Sequence, residues 1–182
     1  MNIRGFAFIE LLISMAIVGI LVAVSLYNYG AFNGRIAVTN NAYEVASLIR
    51  EAQTYGVSVR QFNTGAGTPD FTVPYGVHFV QNSPQYFFFA DANKNGEYTS
   101  SELEAQYELR GSFTVDAICL GPDGSCVNQT AVTITFTRPD PDARIVRSGV
   151  EYSQARITFK EVGGSGMTRD VVVYSSGHIN VE

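Results

Sequence analysis

The sequence predicts an α+β fold in which one long N-terminal helix packs on antiparallel β-sheets. Three observations carry this expectation. The first is an apolar run from Phe6 to Leu26 that contains a single charged residue, Glu10, and no proline. The second is a stripe formed by Val38, Ala42, Val45, Ile49, Ala52 and Gly56 at spacings of three and four, the period of a helix with one buried face. The third is a change of period after residues 61–70, a stretch rich in Gly and Thr with Pro69 near its end. Beyond it, short β-branched and aromatic segments alternate with turn formers, which is how half-buried strands read.

The apolar run comes first in the chain and decides most. As a helix of about 21 residues it spans roughly 31 Å, close to the ~30 Å of a bilayer core. Arg4 stands just before it and favours a cytoplasmic N-terminus. A secretory signal would carry a shorter apolar region and a small-x-small cleavage site, which Gly19 and Ala23 do not form cleanly. A plain signal anchor has no use for Glu10, because a carboxylate inside the span costs about 2.5–3.5 kcal/mol unless paired.

The residues Arg4-Gly5-Phe6-Ala7-Phe8-Ile9-Glu10-Leu11-Leu12 resemble the processing and methylation signal of type IV prepilins and type II secretion pseudopilins. The family more often has Thr and Leu where this chain has Ala7 and Phe8, a departure that leaves the Gly5-Phe6 junction and Glu10 intact. The resemblance implies that a membrane peptidase cuts after Gly5 from the cytoplasmic side. Phe6 then becomes an N-methylated terminus, and Glu10 is the fifth residue of the processed chain. It also implies a pilin-like fold and a set of partners: homologous pilin or pseudopilin subunits in a filament, the prepilin peptidase and methylase, and an inner-membrane assembly platform. The chain would be a single-pass membrane protein before assembly, with its C-terminal domain outside the cytoplasm. Electrostatics assigns Glu10 a matching task. Cleavage creates a positive amine at Phe6 in the membrane plane, and the amine of a neighbouring subunit is the nearest partner of opposite sign for a buried carboxylate. The alternative is a carboxylate that is protonated or that snorkels to the interface.

The chain therefore divides into a leader at 1–5, a membrane and assembly half-helix at 6–30, an amphipathic half-helix at 31–60 and an extracytoplasmic β-rich domain at 61–182. The helix would run from Phe6 to about Val59, on the order of 80 Å. Gly30 and Gly34 weaken it, each by about 1 kcal/mol relative to Ala. Many pilins have a proline near the end of the span. Here Tyr27 and Asn28 take its place, so Gly19, Gly30 and Gly34 are the sites at which local melting would begin.

Strands are expected at 75–80, 86–90, 106–109, 112–118, 131–137, 144–147, 155–161, 170–174 and 178–181, with Ser175-Ser176-Gly177 turning the last pair into a hairpin. That closing pair looks like the end of the H-type minor pseudopilin domain. Arg138-Pro139-Asp140-Pro141-Asp142 interrupts the pattern. Its prolines exclude a central strand, which leaves a solvated corner or a partner-contacting loop. Cys119 and Cys126 flank Gly121-Pro122-Asp123-Gly124, a turn that folds the chain back on itself. In a translocated domain a disulfide closing that turn is the expected state, against two free buried thiols.

Asp91-Ala-Asn93-Lys-Asn95-Gly96-Glu97-Tyr-Thr99-Ser-Ser-Glu102 fits the calcium-loop pattern position for position. Asp91, Asn93 and Asn95 would offer side-chain oxygens, Glu97 its carbonyl, Thr99 a water, and Glu102 a bidentate carboxylate, with Gly96 at the sharp turn. The preceding segment is aromatic and strand-like, so this is not a helix-loop-helix hand. The alternative is that Asn95-Gly96 simply turns a hairpin.

Composition narrows the function classes. The 182 residues are 46% hydrophobic and only 16% charged, with net charge −5, which argues against broad nucleic-acid binding. His78 and His178 have no nucleophile or acid constellation in the sequence and read as packing or surface residues. No phosphate-cradling glycine loop, nucleophile elbow or metalloprotease motif is present. The expectation is a non-enzymatic filament subunit that requires no cofactor, with Ca2+ as an additional ligand. The rival is a monomeric, membrane-tethered binding domain.

Overall fold

The computed structural model describes residues 8–58, 62–63, 69–122, 125–163 and 166–182. Helix α1 runs from Phe8 to Val57. It continues through Gly19, Gly30 and Gly34, so none of the three glycines melts it. Strong helix formers such as Leu, Ala and Met surround Gly19, and tertiary packing holds the outer half.

Among the described residues thirteen strands follow. β1 (Phe62–Asn63) and β2 (Pro69–Asp70) form a short ribbon within the expected linker. Then come β3 (Tyr75–Val80), β4 (Gln85–Ala90), β5 (Leu103–Glu108), β6 (Phe113–Leu120) and β7 (Val127–Gln129). β8 (Ala131–Phe136), β9 (Ala143–Arg147), β10 (Val150–Tyr152), β11 (Gln154–Glu161), β12 (Thr168–Tyr174) and β13 (Ile179–Val181) complete the set. They make a six-stranded sheet in the order β10-β9-β8-β3-β4-β5 and a five-stranded sheet in the order β13-β12-β11-β6-β7. Every pairing is antiparallel, as the alternation predicted.

Three differences from the sequence reading have physical causes. β5 begins at Leu103 rather than Gln106. It is an edge strand with most of its side chains exposed, so it has no buried face to impose alternation. β7 and β10 were not expected; each has three residues and too little sequence to show a period. The linker holds a ribbon, and the two residues on each of its sides lie below any pattern.

The outer half of α1 packs against β3 and β8 of one sheet and β11, β12 and β13 of the other. Ala42, Val45, Ile49 and Ala52 are fully buried there, with Val38 nearly so. They meet Val77 and Phe79 of β3, Ile134 and Phe136 of β8, Ile157 of β11 and Val171 and Val173 of β12 in one continuous core. The side chain of Gln53 pins the far end: its Nε2 donates to the carbonyls of Pro141 at 2.8 Å and Gly177 at 3.0 Å. The Arg138–Asp142 corner is therefore tied to the helix. The Arg138 backbone N–H also donates to the Gly56 carbonyl at 3.1 Å, one of the helix-end carbonyls that lack an intrahelical partner. Cys119 on β6 and Cys126 before β7 form the expected disulfide, with Cα atoms 5.4 Å apart.

Gly56 shows how closely the helix approaches the sheet. A Cβ there would collide with the Phe136 backbone carbonyl, which cannot move without shifting β8. Gly56→Ala gains about 1 kcal/mol of helix propensity but overpacks the core, which costs about 1–3 kcal/mol. The expected outcome is a net loss of stability despite the better helix former, read by chemical unfolding of the globular domain. A stabilised variant would contradict this packing.

Candidate functional site

Two places carry chemistry. At the first, Phe8–Leu26 of α1 is long and apolar enough to cross a membrane, and none of it is buried among the described residues. Glu10 lies exposed on this segment. The Ser14 hydroxyl donates to the Glu10 backbone carbonyl at 2.8 Å and leaves the carboxylate free of it. Among the described residues Glu10 makes no ion pair. Gly5 and Phe6 lie outside the described residues.

The second place is the connection between β4 and β5. β4 stops at Ala90 and β5 starts at Leu103, so Asn95-Gly96 is not the centre of a two-residue hairpin. The twelve residues instead wrap around their own side-chain oxygens. Asp91 Oδ1 accepts from the Asn95 N–H at 3.1 Å and Oδ2 from the Gly96 N–H at 2.8 Å. Asn93 Oδ1 accepts from the Asn95 N–H at 2.9 Å, and Asn95 Oδ1 from the Glu97 N–H at 2.7 Å. Glu102 closes the loop. Its Oε1 accepts from the Asn93 N–H at 3.3 Å, and its Oε2 from the Thr99 N–H and hydroxyl at 3.1 and 2.7 Å. The Thr99 contacts cap a short 3-10 turn, Ser100–Glu102. Gly96 has φ +79° and lies against Arg144 and Val146, so both its conformation and its lack of a side chain are required.

Asp91 and Glu102 are only 1% and 6% exposed. Burial pushes the Asp91 carboxyl up, and the Glu102 charge adds to this, while the N–H groups of Gly96 and Asn95 oppose it. The Glu97 side chain turns away, accepting from the Gly149 N–H at 2.7 Å. Among the described residues no three His, Cys, Asp or Glu side chains come together. The loop's side chains offer two carboxylates and two amide oxygens, hard donors of the kind that suit calcium rather than zinc.

Sequence reasoning did not place this loop on the outer face of the six-stranded sheet. Tyr98 stacks on Phe87 at 5.3 Å and on His78 at 5.0 Å and meets Phe89 edge-on at 5.4 Å. His78 Nδ1 lies 2.9 Å from Thr133 Oγ1. The hint in the sequence was that β3 and β4 each carry an aromatic ring on both faces, more than a solvated face needs. His78 is thus a packing residue.

The comparisons bear on the first site. Residues 1–26 match the family model of the prokaryotic N-terminal methylation motif. A solved structure of the type IV minor pilin FimU from Pseudomonas aeruginosa strain PAO1 is similar at 15% identity over 83% of this chain and 92% of that one, with a TM-score of 0.47. No curated protein matches the chain. The resemblance carried by Arg4–Leu12 thus has an independent counterpart in the motif match. Motif and apolar helix together make the N-terminus the membrane-anchoring end.

His78 sets a pH dependence. Burial, with help from the Arg147 charge and against Glu97, lowers its pKa from 6.5 to about 4. The folded state therefore favours the neutral ring. The stability this contributes is complete above 6.5 and is lost as pH falls through about 4. The loss is on the order of 2–3 kcal/mol. Unfolding measured between pH 7 and 4 should show it, and His78→Gln should flatten that part of the profile.

Proposed function

We propose that this chain is a non-enzymatic structural subunit of a filament of the type IV pilin and pseudopilin class, processed after Gly5 and assembled through α1. The observation that carries the reading is the division of one continuous helix. Its outer half is clamped by the chain's own sheets, and in its inner half, Phe8–Leu26, every residue is exposed among the described residues. A bilayer can cover that half, and so can the same half of other subunits. Glu10 favours the second role in addition to the first, because a carboxylate in lipid needs an opposite charge and the processed Phe6 amine of a neighbour supplies one. The match of residues 1–26 to the N-terminal methylation motif supports the reading that the N-terminus is processed to a new amine. The rival reading, a monomeric membrane-tethered binding domain, leaves Glu10 unexplained.

Replacing Glu10 with Val tests this directly. The expected outcome is normal membrane insertion and cleavage but a large fall in the amount of chain recovered in sheared filaments. Wild-type recovery would show the charge pair to be dispensable.

A second reading concerns the β4–β5 loop, where Asp91 and Glu102 are buried together at the two ends of one oxygen-lined turn. We infer that it takes Ca2+ as a structural ion held by Asp91, Asn93, Asn95 and Glu102 side chains, with the Glu97 carbonyl and a water at Thr99. When bound, the ion would neutralise the two carboxylates and order the loop that carries Tyr98 onto His78 and Phe87. Binding to the folded state alone stabilises by about 1.4 kcal/mol when free calcium is ten times Kd. Thermal unfolding with calcium and with chelator checks this. The melting temperature should rise with calcium in the parent and not in Asp91→Asn or Glu102→Gln. A parent indifferent to millimolar calcium would leave the loop as a self-contained, hydrogen-bonded turn.

A further inference from the structure

The outer half of α1 carries opposite charges on its two flanks. On one side Glu44 and Glu51 line a recess of about 170 Å³ whose wall includes Tyr86 and Tyr107. The two rings stack at 5.7 Å. Arg110 meets Glu44 at 3.1 Å from the rim, with its own side chain 82% exposed. Glu51 has no ion-pair partner among the described residues. On the other side Arg35 and Arg169 flank a recess of about 300 Å³. Among the described residues Arg35 Nε donates to Met167 Sδ at 3.1 Å, and Arg169 Nε to Thr39 Oγ1 at 3.3 Å. Neither guanidinium has a carboxylate within ion-pair distance among the described residues.

The helix period places Arg35 about 160–180° around the axis from Glu44 and Glu51. The two sets therefore cannot meet within one molecule. Between them, on the outward back of the helix, Ile36 and Tyr43 are 45% and 57% exposed and prolong the uncovered apolar surface of the membrane half.

We propose that the acidic, tyrosine-walled recess at Glu44 and Glu51 receives Arg35 and Arg169 of a second copy of this chain. The proposal rests on the filament-subunit reading. Guanidinium suits the recess because it pairs with carboxylates through several donors and lies favourably over tyrosine rings. The membrane forces all helices to point the same way, so one flank meets the opposite flank of the next copy. Such a head-to-tail contact repeats without closing unless its rotation returns on itself. Arg35 precedes Glu44 and Glu51 in the helix. Joining them requires the second copy to be displaced outward by about 14–24 Å, before allowance for side-chain reach. A stagger of this size would draw the apolar span of the leading copy partly out of the bilayer and leave it covered by the span of the next.

The test uses the full-length chain in intact cells. Arg35→Glu and Glu51→Lys each change an exposed side chain. Each alone should lower recovery in sheared filaments by about tenfold, and the double variant should recover most of it, because the reversed pair is again attractive. Arg35→Cys together with Glu51→Cys should give a disulfide-linked ladder that neither single variant gives. Single reversals that assemble like the parent, a double variant that stays defective, or an absent ladder would each overturn the contact while leaving the subunit reading in place. A parent chain absent from filaments would overturn the subunit reading itself.

Discussion

The structure depends on one packed stripe, the face of α1 from Val38 to Gly56 set between two antiparallel sheets. Ala42, Ala46 and Ala52 are fully buried within it, and Gly56 touches the backbone of β8. Small side chains at these positions let the helix axis come close to both sheets at once. Everything outside the membrane follows from that approach. Gln53 ties down the proline corner and the final hairpin, and Asn41 holds the chain after β5 by exchanging hydrogen bonds with the Arg110 backbone at 2.8 and 3.0 Å. One helix carries both the packed half and the apolar half, so the sheets that clamp the first are joined to the second without a break in secondary structure.

Much of this was legible in the sequence, and for identifiable reasons. The stripe at 38–56 and the strands from β3 to β13 with a buried face show their period, because burial dictates every second or every third to fourth residue. Tyr75–Val80 was legible to the residue. The elements read poorly are those without a buried face: β5, at one edge of its sheet, was expected only from Gln106, and β7 and β10, whose three residues cannot display alternation, were not expected. The continuity of α1 from the span into the outer half was expected, whereas the sequence did not show that Gly30 and Gly34 leave it unbroken, since the local preference of glycine argues against helix and neighbouring turns outweigh that preference.

The sites were legible to different depths. The Gly5-Phe6 junction and Glu10 stand out because an acid inside an apolar span is expensive and so rarely incidental. The oxygen-bearing positions of the β4–β5 loop were visible as spacing. Its seat on the sheet was not, because Tyr98 finds His78 and Phe87 only when β3 and β4 pair. The charge on the two flanks of α1 was visible residue by residue, but its meaning depends on Tyr86, Tyr107 and Arg169, which come from distant strands.

The central claim is that the exposed half-helix becomes an assembly element through a new amine beside Glu10. The intact mass and N-terminal residue of the chain recovered from filaments test it most directly. The account predicts a chain beginning at Phe6 and carrying one methyl group on its amine. A filament-borne chain that retains Met1 would contradict it.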